Sequence, residues 1–103
     1  NGCIENKRKL AATYADFFAK QPMNFRTELR DTKVNYWLMC LELKSKTERD
    51  DFLKVTNNSG VMTRPIWQLM YRLPMYSQCY RDEQKNAEFL EQRIVNIPSS
   101  VRL

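Results

Sequence analysis

The chain has 103 residues, of which 43% are hydrophobic and 28% charged, and its formal net charge is +5 at pH 7. This length allows one small domain, and the apolar content is too high for a disordered tail. No run of apolar residues is long enough for a membrane-spanning helix, and the first ten residues lack the pattern of a signal peptide. Because the first residue is not Met, we expect a processed start or a start inside a longer chain.

Histidine is absent from the sequence, and its absence excludes several kinds of catalytic and metal site. Ser-His-Asp catalysis, Cys-His catalysis and His-ligated zinc all depend on imidazole. The cysteines, Cys3, Cys40 and Cys79, are odd in number and far apart, so neither a disulfide framework nor a metal site is predicted. Cys40 lies in an apolar run and is expected to be buried. This use of cysteine favours a cytoplasmic location.

The positive charge is spread along the chain. Residues 1–33, 34–60 and 61–103 carry seven, four and six basic residues, against four acidic residues in each part. Only residues 7–9 form a basic cluster. A protein that binds nucleic acid usually concentrates its charge on one face, so nucleic acid is not a predicted partner.

The first predicted helix covers residues 5–20. Its apolar residues recur at steps of three and four and form one stripe, which consists of Leu10, Ala11, Tyr14, Phe17 and Phe18. The basic residues at positions 7 and 8 lie off this stripe and are expected on the solvated back of the helix. Gln21-Pro22 ends the helix, because proline disfavours helical backbone at the residue before it.

Two strands are predicted. Residues 34–43 are nearly all apolar, aromatic or β-branched, which is typical of a strand covered on both faces or of a central strand with a helix on one side. Residues 61–67 form a short strand that Pro65 ends or confines to the edge of a sheet. Residues 95–100 contain Pro98, which breaks any regular element, and are predicted to be an irregular tail.

Two further helices are predicted, at residues 47–60 and 85–94. Thr47 and Asp50 have the spacing of a capping box, and Gly60 can end the first of these helices in the left-handed conformation. The inward faces consist of Phe52, Leu53, Thr56, Ala87, Leu90 and Ile94. The alternation of helices with strands predicts a single domain, residues 1–103, of the α/β (α+β) class, in which helices pack on a small sheet.

Residues 63–80, TRPIWQLMYRLPMYSQCY, form an aromatic segment with two prolines and two arginines. This segment could line the binding site of a phosphorylated ligand that contains a ring. An arginine would bind the anionic group, and aromatic side chains would offer flat surfaces to the ring. The candidate residues are Arg64, Trp67 and Tyr71. Residue types alone favour another interpretation, in which Trp67 and Met70 pack into the core. In that interpretation Arg72 and Arg81 are solvated.

The residues themselves do not predict a complete enzyme. Asp50-Asp51 and Asp82-Glu83 are sequence neighbours whose side chains point in different directions, so neither pair is predicted to act as acid and base. Glycine occurs only at positions 2 and 60, so a glycine-rich phosphate loop is absent. The eight lysines lie in polar surroundings, and none has the apolar setting that activates a Schiff-base nucleophile.

Five short motifs resemble the C-terminal domain of the DegT/DnrJ family, which comprises sugar-nucleotide aminotransferases that depend on pyridoxal phosphate. The motifs are Gly60-Val61, Arg64-Pro65-Ile66-Trp67, Leu73-Pro74-Met75-Tyr76, Asn86-Ala87-Glu88 and Ile97-Pro98-Ser99-Ser100. The run NYWLMCLEL and the opening helix are also similar to this domain, so the resemblance covers nearly the whole chain. It implies a small, mainly antiparallel sheet packed with three helices, as in fold type I aminotransferases.

The resemblance also implies that the aromatic segment faces substrate. In such enzymes the small domain closes over the active site and lines the sugar-nucleotide pocket, so Arg64, Trp67 and Tyr71 are candidate substrate-binding residues. Where the family commonly has Pro-Leu-His, this chain has Leu69-Met70-Tyr71, and a tyrosine does not titrate near neutral pH. The Schiff-base lysine and the cofactor-phosphate contacts belong to the family's large domain. We therefore expect no catalytic residue and no cofactor in this chain.

The leading hypothesis is an excised or free-standing C-terminal domain of a sugar-nucleotide aminotransferase, without transaminase activity on its own. Its expected partner is the missing large domain or a subunit of a family enzyme. The alternative hypothesis is a non-catalytic interaction or homodimerisation module that keeps this fold. Such a module would use aromatic surface that a large domain otherwise covers.

Overall fold

Three helices and one four-stranded sheet make up the fold. The structure is a computed structural model, and it describes residues 2–101. The helices are α1 (Gly2–Phe18), α2 (Lys46–Asn58) and α3 (Lys85–Glu91). The strands are β1 (Asn24–Phe25), β2 (Met39–Glu42), β3 (Arg64–Pro65) and β4 (Ile94–Ile97), and short 3-10 turns cover Met70–Arg72 and Pro74–Tyr76. None of the helices in this part of the chain has the length and apolar character to cross a membrane.

All neighbouring strands of the sheet run antiparallel, in the order β1-β2-β4-β3. The predicted class, a mainly antiparallel sheet with three helices, is therefore confirmed. The longest pairing joins β2 to β4, with Met39 opposite Ile97 and Leu41 opposite Val95. β3 is an edge strand, as expected for a strand with Pro65, because proline has no N–H to offer a further strand.

The prediction of an irregular tail after the third helix is wrong, since residues 94–97 form β4. The helix ends at Glu91, and Ile94 begins the strand instead of ending the helix. The three β-branched residues of β4 are buried, which suits the pleated surface of a sheet. The strand ends directly before Pro98, which lacks the donor that a continued ladder would need.

The hydrophobic core lies between one face of the sheet and helices α1 and α2. At the centre of the core lie Leu41 and Val95, which have no exposed surface, and Met39, which is 1% exposed. Around them pack Ala11, Phe25, Tyr36, Leu43 and Ile97, with Leu10, Tyr14, Phe18, Phe52 and Leu53 partly buried at the margin. The predicted stripe of α1 is confirmed except at Phe17, which is 61% exposed. Successive residues of an α-helix lie about 100° apart around its axis. Phe17 therefore lies to the side of the stripe that contains Phe18.

Helix α2 begins with a side-chain cap at Ser45, two residues before the predicted Thr47-Asp50 pair. Ser45 Oγ accepts a hydrogen bond from the backbone N–H of Glu48 at 3.1 Å. The Glu48 carboxylate in turn accepts one from the backbone N–H of Lys44 at 3.3 Å, so both side chains satisfy free donors at the helix start. After the helix, Gly60 adopts a φ of 83°, the predicted left-handed conformation.

The predicted strand at residues 34–43 is shortened, because α1 holds its first half away from the sheet. Arg8 Nη1 donates to the carbonyl oxygen of Val34 at 2.6 Å, and Lys7 Nζ donates to that of Trp37 at 3.2 Å. The prediction that the basic residues form a solvated helix back is therefore wrong for Arg8 and Lys7. Both are half-buried and cross-link α1 to the chain that leads into β2.

Glu28 completes the link between Arg8 and the chain before β2. Arg8 donates two hydrogen bonds to the Glu28 carboxylate, at 2.8 and 3.1 Å, and the backbone N–H of Val34 donates a third at 2.9 Å. These bonds, that from Arg8 above all, lower the pKa of Glu28 from 4.5 to about 2. A carboxylate whose pKa is lowered by folding stabilises the protein above its unfolded pKa, and this stability is lost as the pH falls through the folded value.

We expect Glu28→Gln to lower the free energy of unfolding at pH 7 and to flatten its decline between pH 4.5 and about 2. The variant keeps the size of the side chain but removes the charge that Arg8 binds. Urea denaturation followed by circular dichroism across this pH range measures the effect. Asp51→Asn, at an exposed carboxylate of α2, is the matched control. A pH profile of Glu28→Gln that equals the wild-type profile would contradict this role.

Candidate functional site

The aromatic segment, residues 63–80, runs from the edge strand β3 through two 3-10 turns. The backbone N–H of Leu73 donates to Met70 O at 3.1 Å, and that of Tyr76 donates to Leu73 O at 2.9 Å. Pro74 is the first residue of the second turn, where its fixed φ is suitable and no N–H is required. The segment therefore has a defined path.

Glu91, at the end of α3, anchors the middle of the aromatic segment. Its carboxylate accepts a hydrogen bond from the backbone N–H of Leu69 at 2.9 Å and one from Arg72 Nε at 3.0 Å. The side chain of Glu91 is 14% exposed and that of Arg72 is 38% exposed, so water only partly screens the pair. Glu91 is not among the predicted site residues, because no local pattern identifies partners that lie 19 and 22 residues away.

Arg64 lies opposite Asn96 in the sheet and is attached to the end of α2. Its Nη1 donates to Asn57 Oδ1 at 3.1 Å and to Thr63 O at 2.8 Å. Thr63 is 2% exposed, and its hydroxyl shares a 2.7 Å hydrogen bond with that of Thr56. This polar cluster fixes the start of the aromatic segment, while the Arg64 side chain remains exposed.

Trp67 lies outside the core, with 71% of its surface exposed, and Met70 is 62% exposed. The interpretation that these two side chains pack into the core is therefore wrong. β3 is only two residues long, so the residues after it do not continue the buried face of the sheet. The Trp67 ring instead meets the ring of Trp37 edge-on, with 6.4 Å between the centroids and 77° between the planes.

Trp37 is 65% exposed, although the sequence analysis placed it in a buried strand. The backbone before it leaves the extended conformation, since Tyr36 has a φ of 52°. The N–H of Trp37 donates to Asn35 Oδ1 at 2.9 Å, and its carbonyl oxygen accepts from Lys7 and Ser99 at 3.2 and 3.1 Å. Asn35 is a residue type that favours turns. It lies within an otherwise apolar run, and that run predicts a strand instead.

Tyr71 is half-buried and is held at both its hydroxyl and its ring. The hydroxyl donates to the Glu88 carboxylate on α3. The guanidinium carbons of Arg72 and Arg81 lie 5.1 and 4.1 Å from the ring centroid. Both arginines are exposed, as predicted, but they also stack on this ring. The hydrogen bond to Glu88, followed by burial, raises the pKa of Tyr71, so its phenol stays protonated at neutral pH.

A cavity of about 330 Å³ adjoins Tyr71. It is lined by Leu69, Met70, Tyr71, Tyr76, Cys79, Tyr80, Arg81 and Gln84. We call it the aromatic cavity, and its three tyrosines and apolar side chains suit a small ring. Of the predicted site residues, Tyr71 lines the cavity, Arg64 contacts α2 and Trp67 contacts Trp37. The contacts among the described residues therefore form three separate groups and not one.

Metal ligation is not a feature of the part of the chain that the structure describes. Between residues 2 and 101, no three Cys, Asp or Glu side chains are grouped to hold an ion. Cys40 and Cys79 are free thiols. Cys40 is half-buried, its thiol donates to Asn96 Oδ1 at 3.1 Å, and burial raises its pKa.

The antiparallel fold and the motifs along it define a domain of an aminotransferase family. All of residues 1–103 match the DegT/DnrJ/EryC1/StrS aminotransferase family, and the chain belongs to this family. The family that the motifs predicted is therefore confirmed.

Solved aminotransferase structures share this fold. The sugar aminotransferase CalS13 from Micromonospora echinospora aligns with a TM-score of 0.83 at 18% identity, over 98% of this chain and 27% of that chain. PseC from Helicobacter pylori, an aminotransferase involved in the biosynthesis of pseudoaminic acid, aligns with a TM-score of 0.81 at 18% identity. That alignment covers 94% of this chain and 27% of PseC.

Two GDP-perosamine synthases are similar in sequence. The synthase from Escherichia coli O157:H7 is 27% identical over 96 residues, which make up 93% of this chain and 26% of that protein. The synthase from Vibrio cholerae is 32% identical over 75 residues, or 71% of this chain and 20% of that protein. The chain thus spans about a quarter of the length of the relatives that it matches.

Aminotransferases of this family depend on pyridoxal phosphate, and the described residues do not fit that cofactor. The cofactor is held as a Schiff base by a lysine that burial or a neighbouring charge has activated. All eight lysines of the chain lie among the described residues, and none is buried. The half-buried Lys7 uses its amine to donate to backbone carbonyl oxygens.

We expect Tyr71 to ionise at a higher pH than an ordinary tyrosine, and Glu88→Gln to lower its pKa. The amide removes a negative charge and a strong acceptor, both of which favour the protonated phenol. The tyrosinate absorbance of the wild type minus that of Tyr71→Phe isolates this residue during an alkaline titration. Glu83→Gln, at an exposed carboxylate before α3, serves as the control. A pKa of Tyr71 that is the same in Glu88→Gln as in the wild type would count against this contact.

Proposed function

We propose that this chain is the C-terminal domain of a sugar-nucleotide aminotransferase, where it lines the pocket for a keto-sugar nucleotide. In the whole protein it would assist the transfer of an amino group from glutamate to that sugar. The observation that carries the proposal is the family match over residues 1–103 in a chain that spans about a quarter of its relatives. The absence of a buried lysine among the described residues supports a domain that does not catalyse transamination alone.

The names of the related synthases suggest the nucleotide. Both matched relatives are called GDP-perosamine synthases, so we propose a guanosine diphosphate sugar as the substrate class. A substrate of this kind carries a flat base, a sugar ring and a diphosphate. Its recognition calls for aromatic surface together with fixed positive charge, and the aromatic segment offers both.

Arg64, Trp67 and Tyr71 are the proposed substrate-contacting residues. Trp67 supports this role because a large aromatic side chain with 71% of its surface in water is costly unless something covers it. Tyr71 offers a neutral ring in place of the family's histidine, so its contribution would not change near neutral pH. Arg64 has a planar guanidinium that is exposed but held at one nitrogen.

The exposed apolar surface in and beside the aromatic segment supports the proposal that a neighbouring domain or subunit covers this side of the domain. Exposed apolar side chains in and beside the aromatic segment include Trp37 at 65%, Trp67 at 71%, Met70 at 62% and Met75 at 71%. A large domain or a neighbouring subunit would remove this surface from water. The match of the whole chain to an aminotransferase family favours this explanation over a non-catalytic module.

The test of the proposed function is the intact mass of the native gene product in its source cells. We expect a species of about three to four times 12.4 kDa, because 96 residues of this chain align with only 26% of a related synthase. That species should show the absorbance of bound pyridoxal phosphate and should transaminate a GDP-linked keto-sugar with glutamate. A native product of the size of this chain would overturn the proposal.

In the whole protein, we expect Trp67→Ala to raise KM for the keto-sugar nucleotide about three- to tenfold, as the loss of one aromatic contact would. The cofactor absorbance should be unchanged, because Trp67 lies on the proposed substrate wall. Leu29→Ala, which removes a side chain that is 73% exposed and lies outside the aromatic segment, is the matched control. If both variants keep the wild-type KM, Trp67 does not contact the substrate.

A further inference from the structure

We propose that Arg81 binds the diphosphate of a guanosine diphosphate ligand whose guanine base lies in the aromatic cavity. The inference rests on the proposed function for the class of nucleotide. It adds a binding residue that lies outside the family motifs and outside the predicted site residues Arg64, Trp67 and Tyr71.

Arg81 differs from every other arginine among the described residues. Each of the others donates to an oxygen of the protein or forms an ion pair with a carboxylate. The partners are Glu28 for Arg8, Glu42 for Arg26, Asp31 for Arg30, Asp50 for Arg49, Asn57 for Arg64, Glu91 for Arg72 and Lys44 for Arg93. Within residues 2–101, the guanidinium of Arg81 has no such oxygen and contacts the ring of Tyr71 instead. Its donors are therefore available to a ligand.

The two carboxylates that follow Arg81 in the sequence bind other groups. Asp82 Oδ1 accepts from the backbone N–H of Gln84 at 3.0 Å and from its side-chain amide. The carboxylate of Glu83 lies 3.0 Å from Lys85 Nζ. Since neither carboxylate pairs with the guanidinium of Arg81, no acidic side chain within residues 2–101 neutralises its positive charge.

Tyr71 holds the guanidinium of Arg81 in a defined place. The carbon of the guanidinium lies 4.1 Å from the ring centroid, which is the distance of a stacked cation. The ring itself is fixed because its hydroxyl donates to Glu88 on α3. A guanidinium that stacks through its face keeps its N–H groups free at the edge of the plane, where they suit the oxygens of a phosphate.

The aromatic cavity supplies the surface for a ring. Tyr71, Tyr76 and Tyr80 line it beside Arg81, and its volume of about 330 Å³ suits a planar ring. Tyr80 is 97% exposed, so no side chain within residues 2–101 covers its ring. Bases stack readily on aromatic side chains of this kind, and Arg81 lies where an attached diphosphate could reach it.

The backbone at the edge of the cavity is also constrained. Gln84 adopts a φ of 54°, an uncommon conformation for a residue with a side chain. The two hydrogen bonds that it donates to Asp82 stabilise this conformation directly before α3. Constrained backbone of this kind is frequent at ligand sites, because it fixes the positions of the lining side chains.

Binding of GDP to the native protein that carries this chain tests the proposal by isothermal titration calorimetry. We expect Arg81→Gln to weaken GDP binding about tenfold or more, as the loss of a charged contact to phosphate would. Binding of guanosine alone should change little, and inorganic diphosphate should bind the wild type more tightly than the variant. Arg81→Lys should recover only part of the affinity, because lysine lacks the planar fork.

Two matched variants complete the test. Arg30→Gln removes an exposed arginine outside the cavity, so GDP should bind this variant as it binds the wild type. Tyr71→Phe keeps the ring beneath Arg81 and should stay within about threefold of the wild-type affinity, whereas Tyr71→Ala should lose as much as Arg81→Gln. This difference separates stacking on the ring from the hydrogen bond of the phenol.

The outcomes separate this proposal from the proposed function. A transaminase whose Arg81→Gln variant binds GDP as tightly as the wild type, or whose wild type does not bind GDP, overturns the role of Arg81 alone. A native product of the size of this chain that binds GDP through Arg81 overturns the proposed function alone. Loss of GDP affinity in Arg81→Gln together with retention in Arg30→Gln supports the proposal.

Discussion

The pairing of β2 with β4 is the interaction on which the rest of the structure depends. In this pairing residues 39–42 lie opposite residues 94–97, and Leu41 and Val95 at its centre have no exposed surface. The free edge of β4 then receives β3, where the aromatic segment begins. Because α3 directly precedes β4, the same pairing also brings α3 beside that segment. The site is thus assembled by a contact between the middle and the end of the chain.

Two carboxylates of α3 fix the position of the aromatic segment. Glu91 binds a backbone N–H and a guanidinium of the aromatic segment, and Glu88 binds the hydroxyl of Tyr71. Their effect is positional, since hydrogen bonds at three points restrict a segment that has no strand pairing beyond β3. The ring that orients Arg81 is held by this scaffold.

The distribution of apolar surface agrees with a domain that has a neighbour in its native protein. Side chains of the core are buried between the sheet and helices α1 and α2, whereas Trp37, Trp67 and Met70 face water. The backbone that presents Trp37 is held by an Asx turn and by donors from Lys7 and Ser99. Such ordered presentation of apolar side chains is expected where another surface covers them.

The sequence by itself determined the apolar stripe of α1, the left-handed turn at Gly60, the edge position of Pro65 and the family. These follow from helical periodicity, from the freedom of glycine, from the missing donor of proline and from motifs, which are all local properties. Only the tertiary structure decided that residues 94–97 form a central strand, that Trp67 is exposed, and that Arg81 contacts the ring of Tyr71 while no oxygen in the described part of the chain binds its guanidinium. Pairing, burial and ion pairing depend on which distant residues meet, and the spacing of residues along a chain does not record those contacts.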